Sequence, residues 1–359
     1  MKKNYWLLLL LPFFSVAQRS ENLIIITLDG FRWQEVFKGM DSIIANNASY
    51  HQGDSAFIFD NYWSGDETER RKKLLPFIWT TVAAKGQLYG NRAFGNKVDV
   101  ANPYWFSYPG YSEIFTGYVD TAINSNSHPA NPNKNVLELL NAQAKFKNKV
   151  AAFGAWETFN CILNEKRSGI PVFAAFDELG GKHPNGNEKF LNRLLKDSYK
   201  PWLKDECLDV FTHYGAMEYL KTRKPKVFFI GYGETDEWAH SGQYRSYLDA
   251  AHQADAWLME IWNFVQSDPQ YKNKTTIFIT TDHGRGDINK DEWTSHNNNV
   301  QDSHEVWFAL LGPAIKSRGE MKIAMQLYQQ QLAQTFARLL GVKFKAPHPV
   351  AEEVKQIFE

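Results

Sequence analysis

Asp29 in Leu-Asp-Gly-Phe, Asp236 and His240 in Thr-Asp-Glu-Trp-Ala-His, Asp282 and His283 in Thr-Thr-Asp-His-Gly, and His296 in Trp-Thr-Ser-His offer three carboxylates and three imidazoles. Carboxylate mixed with imidazole suits zinc; magnesium and calcium prefer all-oxygen shells. Asp236 and His240 stand four apart, which puts both on one face of a helix. Asp282 and His283 are adjacent and point opposite ways on extended chain, but a turn at the end of a strand brings both to one ion. Ser107, in Phe-Ser-Tyr-Pro-Gly-Tyr, adds a hydroxyl. A serine hydroxyl is a poor nucleophile near neutral pH and needs a base or a metal. No Gly-x-Ser-x-Gly elbow surrounds Ser107, so metal activation is the available route. Two ions roughly 4 Å apart can hold the attacking and leaving oxygens of an in-line displacement. The set reads as a metallohydrolase with a serine nucleophile.

Each residue has a plainer reading. Asp29 is placed to cap a following helix. Asp236 and His240 read equally as a capping carboxylate and a surface imidazole. A lone loop histidine such as His296 is usually solvated, and His304 in Asp-Ser-His-Glu competes for its role. The case rests on their joint occurrence at strand ends.

Three of the four segments follow β-rich apolar runs, at 23–28, 227–232 and 275–281. Such runs read as buried parallel strands. Open α/β sheets gather their sites at the edge where those strands end. Further along, Pro76 to Lys85 reads as a helix opening on proline. Gly86 to Phe94 reads as a return strand, 124–135 as loop, 136–144 as helix and 149–153 as a short strand. Strand–helix alternation resumes with strand 226–232, helix 242–266, strands 275–281 and 305–311, and helix 322–340. Residues 155–225 break the rhythm with helical patterns near 188–199 and 204–222, and are read as a cap or insertion. The fold class expected is α/β, a mostly parallel central sheet flanked by helices on both faces, in one domain over 18–359.

The 359 residues carry 40 basic and 40 acidic side chains, with no block of either sign. A nucleic-acid scaffold and a polybasic membrane anchor are therefore not expected. The 12 Trp, 16 Tyr and 25 Phe are read chiefly as core. Met1-Lys-Lys, the apolar stretch Trp6 to Phe14, and Ser15-Val16-Ala17 form a leader with cleavage expected after Ala17. That stretch is too short to span a bilayer as a helix. A periplasmic or secreted protein is the expectation. Cys161 and Cys207 lack zinc-ligand spacing and read as a disulfide or two inert thiols.

The ordered set of motifs resembles the alkaline phosphatase superfamily, nearest its nucleotide pyrophosphatase/phosphodiesterase branch. Ile26-Thr-Leu-Asp29-Gly matches the family's strand–Asp-Gly opening, and Ser107-Tyr-Pro running on to Thr116-Gly117 matches its nucleophile segment. Asp236-x-x-x-His240, Asp282-His283-Gly284 and His296 ahead of Gly312-Pro313 follow in the family's order. The resemblance implies two Zn²⁺ per chain. Asp236, His240 and His296 would hold one; Asp29, Asp282, His283 and the Ser107 oxygen would hold the other. It also implies attack by Ser107 on phosphorus, a phosphoserine intermediate, and a small phosphoester as substrate. Asn126 is matched to a phosphate-binding Asn of that branch, with Asn124 the neighbouring register. Arg285 is a candidate for contacting substrate, or an ion-pair partner. Gly110 stands where the family has Asn. Ser107-Tyr-Pro-Gly-Tyr111 also imitates the sulfatase segment, with Tyr111 in place of its Arg. An exported binding protein on the same scaffold is the non-enzymatic alternative.

Overall fold

The computed structural model describes residues 20–359, so the leader expected at 1–17 lies outside the described residues. Eight strands form the central sheet in the order β10-β2-β9-β7-β1-β6-β4-β5. They are β1 (Asn22–Leu28), β2 (Gly86–Tyr89), β4 (Val150–Gly154), β5 (Val172–Ala174), β6 (Val227–Tyr232), β7 (Thr275–Thr280), β9 (Phe308–Leu311) and β10 (Gly319–Glu320). A second sheet joins β11 (Met325–Tyr328), β3 (Asn96–Asp99) and β8 (Glu305–Val306).

The centre of the large sheet is parallel for a reason visible in its residues. β1 is buried along its whole length, and its side chains alternate between two cores. Ile24, Ile26 and Leu28 enter one cluster with Tyr247, Leu258 and Ile279; Leu23 and Ile25 enter the other with Ile114, Phe229 and Phe336. A strand with apolar side chains on both faces needs a layer on each, which is what parallel crossovers supply. β1 pairs in parallel with β6 and with β7, Leu28 facing Tyr232 and Thr27 facing Thr280. The C-terminal ends of these three strands therefore lie side by side. β9 runs antiparallel to both β7 and β2.

Four sequence expectations change. The 305–311 strand is two: β8 joins the small sheet and β9 the large one, divided at Trp307. The helix expected over 322–340 starts only at Leu332; Met325–Tyr328 is strand β11, because it finds β3 as a partner. The return strand ends at Tyr89, and Arg92–Phe94 is a 3₁₀ turn capped by the Asn91 side chain. Within 155–225, Val172–Ala174 extends the sheet beside β4, so that stretch is built onto the sheet edge as well as beside the site. Its two longer helices are Gly186–Asp197 and Asp209–Arg223. Cys161 and Cys207 are both free thiols, not a disulfide. No helix among the described residues is long and apolar enough to cross a membrane.

Candidate metal centre

Asp29 follows β1 directly, Asp236 lies four residues beyond β6 and Asp282 two beyond β7. All three carboxylates are buried where the parallel strands end. The Asp236 helix, Glu234–His240, carries its acid in the first turn and His240 in the last, which places both on one face. Asp236 Oδ2 is 3.1 Å from His240 Nε2, and that nitrogen is 3.0 Å from His296 Nε2. His283 Nε2 faces three acids, at 3.4 Å from Asp29, 3.5 Å from Asp282 and 3.6 Å from Asp236 Oδ1. The rings of His283 and His296 stack at 4.0 Å, so the two groups of donors adjoin. His304, the competitor of His296, lies against Trp105 and Asp99 instead.

Backbone approach at this corner is close enough to require glycine. Gly30 has φ +56°, and a Cβ there would stand 2.4 Å from Asp236 Oδ1. A Cβ on Gly110 would stand 2.4 Å from the Asp282 carbonyl oxygen. Gly110 belongs to the helix Ser107–Thr116, so its bare backbone lets that helix rest on the Asp282-His283 segment. Tyr111 of the same helix donates to Asp29 Oδ2 at 2.9 Å. Ser107 is the first helical residue, 6 % exposed, with Oγ 3.4 Å from His283 Nε2. Asn126 accepts from the Tyr108 N–H at 2.9 Å, which sets it beside the turn that carries Ser107. Arg285 is buried and donates to the carboxylate and the carbonyl of Asp236. Of the two roles open to it in sequence, this geometry is the ion pair.

The donor set fits a pair of metal ions. Asp29 Oδ1 and Asp282 Oδ2 are buried without a hydrogen-bond partner, an arrangement that costs energy unless something cationic meets them. His283 Nδ1 is engaged with the Gly284 carbonyl and His296 Nδ1 with that of Trp105, which turns both Nε2 atoms inward, as metal-bound histidines require. Two donors on one tetrahedral zinc, each roughly 2.0–2.1 Å from it, lie about 3.3 Å apart; the spacings here run from 3.0 to 3.6 Å. Burial and the Asp236 charge push the Asp29 carboxyl up, and burial with Asp29 pushes Asp282 well up. Burial works against a charged His283, yet Asp282, Asp29 and Asp236 outweigh it and raise the imidazole to about 9. Three carboxylates thus crowd one imidazole in a buried site, a concentration of acid groups that suits a cation.

Sequence patterns did not single out three residues that hold the site in place. Asp209, the first residue of its helix, accepts from the Gly233 and Glu234 N–H groups at 2.8 and 3.0 Å and so caps the Asp236 helix from another element. Glu234 returns the contact, accepting from the Asp209 N–H and from Trp238 Nε1. Gln329 is fully buried and donates to the carbonyls of both Gly110 and Asp282, tying the Ser107 helix to the Asp282-His283 segment. The helix-start position of Asp209 was the one signal available; Gln329 had none.

Residues 208–343 match the model of the Metalloenzyme superfamily. No curated protein sequence matches the chain. Solved structures do resemble it. A protein in the alkaline phosphatase superfamily from Vibrio parahaemolyticus shares 12 % identity at a TM-score of 0.53, over 93 % of this chain and 71 % of that one. Wild-type alkaline phosphatase PafA shares 11 % at 0.60, over 95 % of this chain and 99 % of its own. The chain has the alkaline phosphatase superfamily fold. Within that fold, a putative sulfatase from Bacteroides thetaiotaomicron is equally similar, with 13 % identity and a TM-score of 0.60 over 94 % and 74 % of the two chains. At such identities the alkaline phosphatase-like architecture is what the neighbours share. Both a phosphatase and a putative sulfatase stand among these neighbours.

Proposed function

We propose that the protein is an exported zinc-dependent phosphoester hydrolase that works through a phosphoserine at Ser107. The observation carrying this reading is the shared carboxylate. Asp236 turns Oδ2 to His240 and Oδ1 toward His283, joining two donor groups, and Ser107 Oγ lies against the second. One ion would take Asp236, His240 and His296; the other would take Asp29, Asp282, His283 and the Ser107 oxygen. Bound zinc supplies positive charge that acidifies the serine hydroxyl and offsets the phosphoryl oxygens.

The chain's own residues do the rest. His283 and the Asp29-bound Tyr111 fix the position of the Ser107 helix. Ser107 Oγ attacks phosphorus, the bond to the leaving oxygen breaks, and the serine proton passes through solvent to that oxygen. Water then cleaves the phosphoserine and restores the hydroxyl. The N-terminus of the Ser107 helix favours the negative charge that gathers there. Asn126 beside that turn is the proposed phosphate contact, and Arg285 keeps Asp236 ionised: burial opposes this, but Arg285, His240 and His296 hold the carboxyl well below its usual range.

The sulfatase alternative draws on the neighbouring sulfatase structures. Against it stand Tyr111, whose hydroxyl serves Asp29 where the sulfatase segment has Arg, and the complete second donor group. Parallel kinetics on a phosphate monoester, a phosphate diester and a sulfate ester, with zinc supplied, test the proposal. Turnover of either phosphoester, lost in Ser107→Ala, supports it. Turnover of the sulfate ester alone, or of none, refutes it.

A further inference from the structure

Residues 189–204, in the stretch built onto the sheet edge, carry Lys189, Arg193, Lys196, Lys200 and Lys204 against one acid, Asp197, before Asp205 ends the run. This local excess of positive charge stands on a chain whose net charge is zero. Among the described residues, none of the five forms an ion pair, whereas every other described arginine except Arg318 does. Lys200 Nζ donates only to the Lys196 and Ser198 carbonyls, and the Arg193 guanidinium lies 5.5 Å from the Phe190 ring. Carbonyls and rings orient a cation without cancelling its charge.

Apolar side chains stand exposed among these charges. Phe190 and Leu194, one turn apart on the helix Gly186–Asp197, are 51 and 41 % exposed; Tyr199 and Leu203, past its end, are 81 and 76 % exposed. The other face of that helix packs inward through Leu191 and Leu195. Of the thirteen large apolar side chains exposed among the described residues, six fall within 190–214, Val210 and Tyr214 being the other two. Such clustering departs from the scattered exposure of an ordinary surface and marks an interaction site. The composition selects the partner. A soluble polyanion would use the cations and leave leucine and tyrosine in water. Protein interfaces are depleted in lysine, and four of the five cations are lysines. A bilayer carrying anionic headgroups takes both kinds of side chain, the cations at the phosphates and the apolar and aromatic groups at the acyl boundary.

We propose that this surface docks the protein reversibly on an anionic phospholipid bilayer. Lys189, Arg193, Lys196 and Lys204 meet headgroup phosphates, while Phe190, Leu194, Tyr199 and Leu203 enter the boundary beneath them. No described helix crosses a membrane, so the contact is peripheral. The surface borders the candidate metal centre: the Trp202 ring meets that of Trp238, on the Asp236 helix, at 5.1 Å. The proposal does not depend on the phosphoester reading.

Co-sedimentation of the full mature chain with vesicles tests it, using phosphatidylcholine alone and an equimolar mixture with phosphatidylglycerol. The mixed vesicles bind at least about tenfold more tightly, and raised salt weakens that binding. Lys189→Glu with Arg193→Glu, and separately Tyr199→Ser with Leu203→Ser, each weaken it about fivefold or more, because each pair removes one of the two attractions. Lys322→Glu with Ile323→Ser, a similarly exposed basic and apolar pair elsewhere, leaves it unchanged. All of these side chains are exposed, and an unfolding temperature at the wild-type value verifies each fold. No binding of the mixed vesicles, equal binding of both kinds, or equal loss in the Lys322 and Ile323 variant overturns the proposal. Binding of heparin through Lys189 and Arg193, with vesicle binding indifferent to Tyr199→Ser and Leu203→Ser, assigns the surface to a soluble polyanion and overturns it as well.

Discussion

Ser107 Oγ lies 3.4 Å from His283 Nε2 at the first position of its helix, with no Gly-x-Ser-x-Gly elbow around it. Its removal should therefore take away the covalent step and leave the metal donors untouched. Ser107→Ala is expected to lower kcat on a phosphoester by about 10³-fold or more, some 4 kcal/mol of barrier at 1.36 kcal/mol per decade. Its zinc content, read by elemental analysis, should stay at the wild-type level. Gly110 makes a complementary case. The Gly110→Ala methyl would meet the Asp282 carbonyl at 2.4 Å, and both partners are backbone held by Gln329. Neither can yield without moving the nucleophile, so kcat should fall while stability drops by about 1–3 kcal/mol. Unchanged kinetics in Gly110→Ala would mean that the helix is not seated on the ligand segment. The residues gathered at the candidate metal centre stood out in sequence because metal chemistry restricts side-chain type. Gln329 was not, since a glutamine that binds two carbonyls looks like any other polar residue.

At the scale of elements, the Asp236 helix is seven residues long and has Gly233 as its N-cap, which gives it no capping side chain of its own. Asp209 fills that role from the start of the helix Asp209–Arg223. Asp209→Ala is expected to destabilise the protein by about 1–2 kcal/mol, the usual cost of a lost cap. It should also weaken zinc at the Asp236, His240 and His296 group by about 10–100-fold, as loss of a supporting shell does. Thermal unfolding and zinc titration check the two effects separately; normal zinc affinity in a destabilised variant would make Asp209 a structural residue only. The three central strands were legible from runs of six or seven residues that lead into the Asp29, Asp236 and Asp282 segments. The short outer strands were not. Met325–Tyr328 has burial on only one side chain and is strand because β3 lies beside it, a long-range pairing that local pattern does not encode. Trp307 parts β8 from β9 where the sequence shows one continuous apolar run.

For the molecule as a whole, the sheet with its two cores sets the stability, and buried carboxylates set its response to pH. Asp255, in the long helix Tyr244–Ser267, accepts from the Phe77 and Ile78 N–H groups and is pushed up to about 7 by burial. A carboxyl raised in the fold favours its protonated form there. Its contribution is therefore full below about pH 4 and is lost as pH rises through about 7. The unfolding free energy of the wild type, relative to Asp255→Asn, should decline over that window; a difference independent of pH would contradict the assignment. Glu113, raised to about 7 by burial on the nucleophile helix, acts in the same direction. Fold class was readable at this scale because strand–helix alternation and apolar runs depend on composition. The seating of 155–225 was not, because β5 joins the sheet through three residues. The central claim concerns two neighbouring ions, one in each of the donor groups that adjoin at Asp236, and anomalous diffraction at the zinc edge from zinc-loaded crystals tests it most directly. The account predicts two peaks per chain about 4 Å apart, one within roughly 2.0–2.2 Å of Asp236, His240 and His296 and the other within that reach of Asp29, Asp282 and His283. A single peak, or two peaks on other residues, would contradict it.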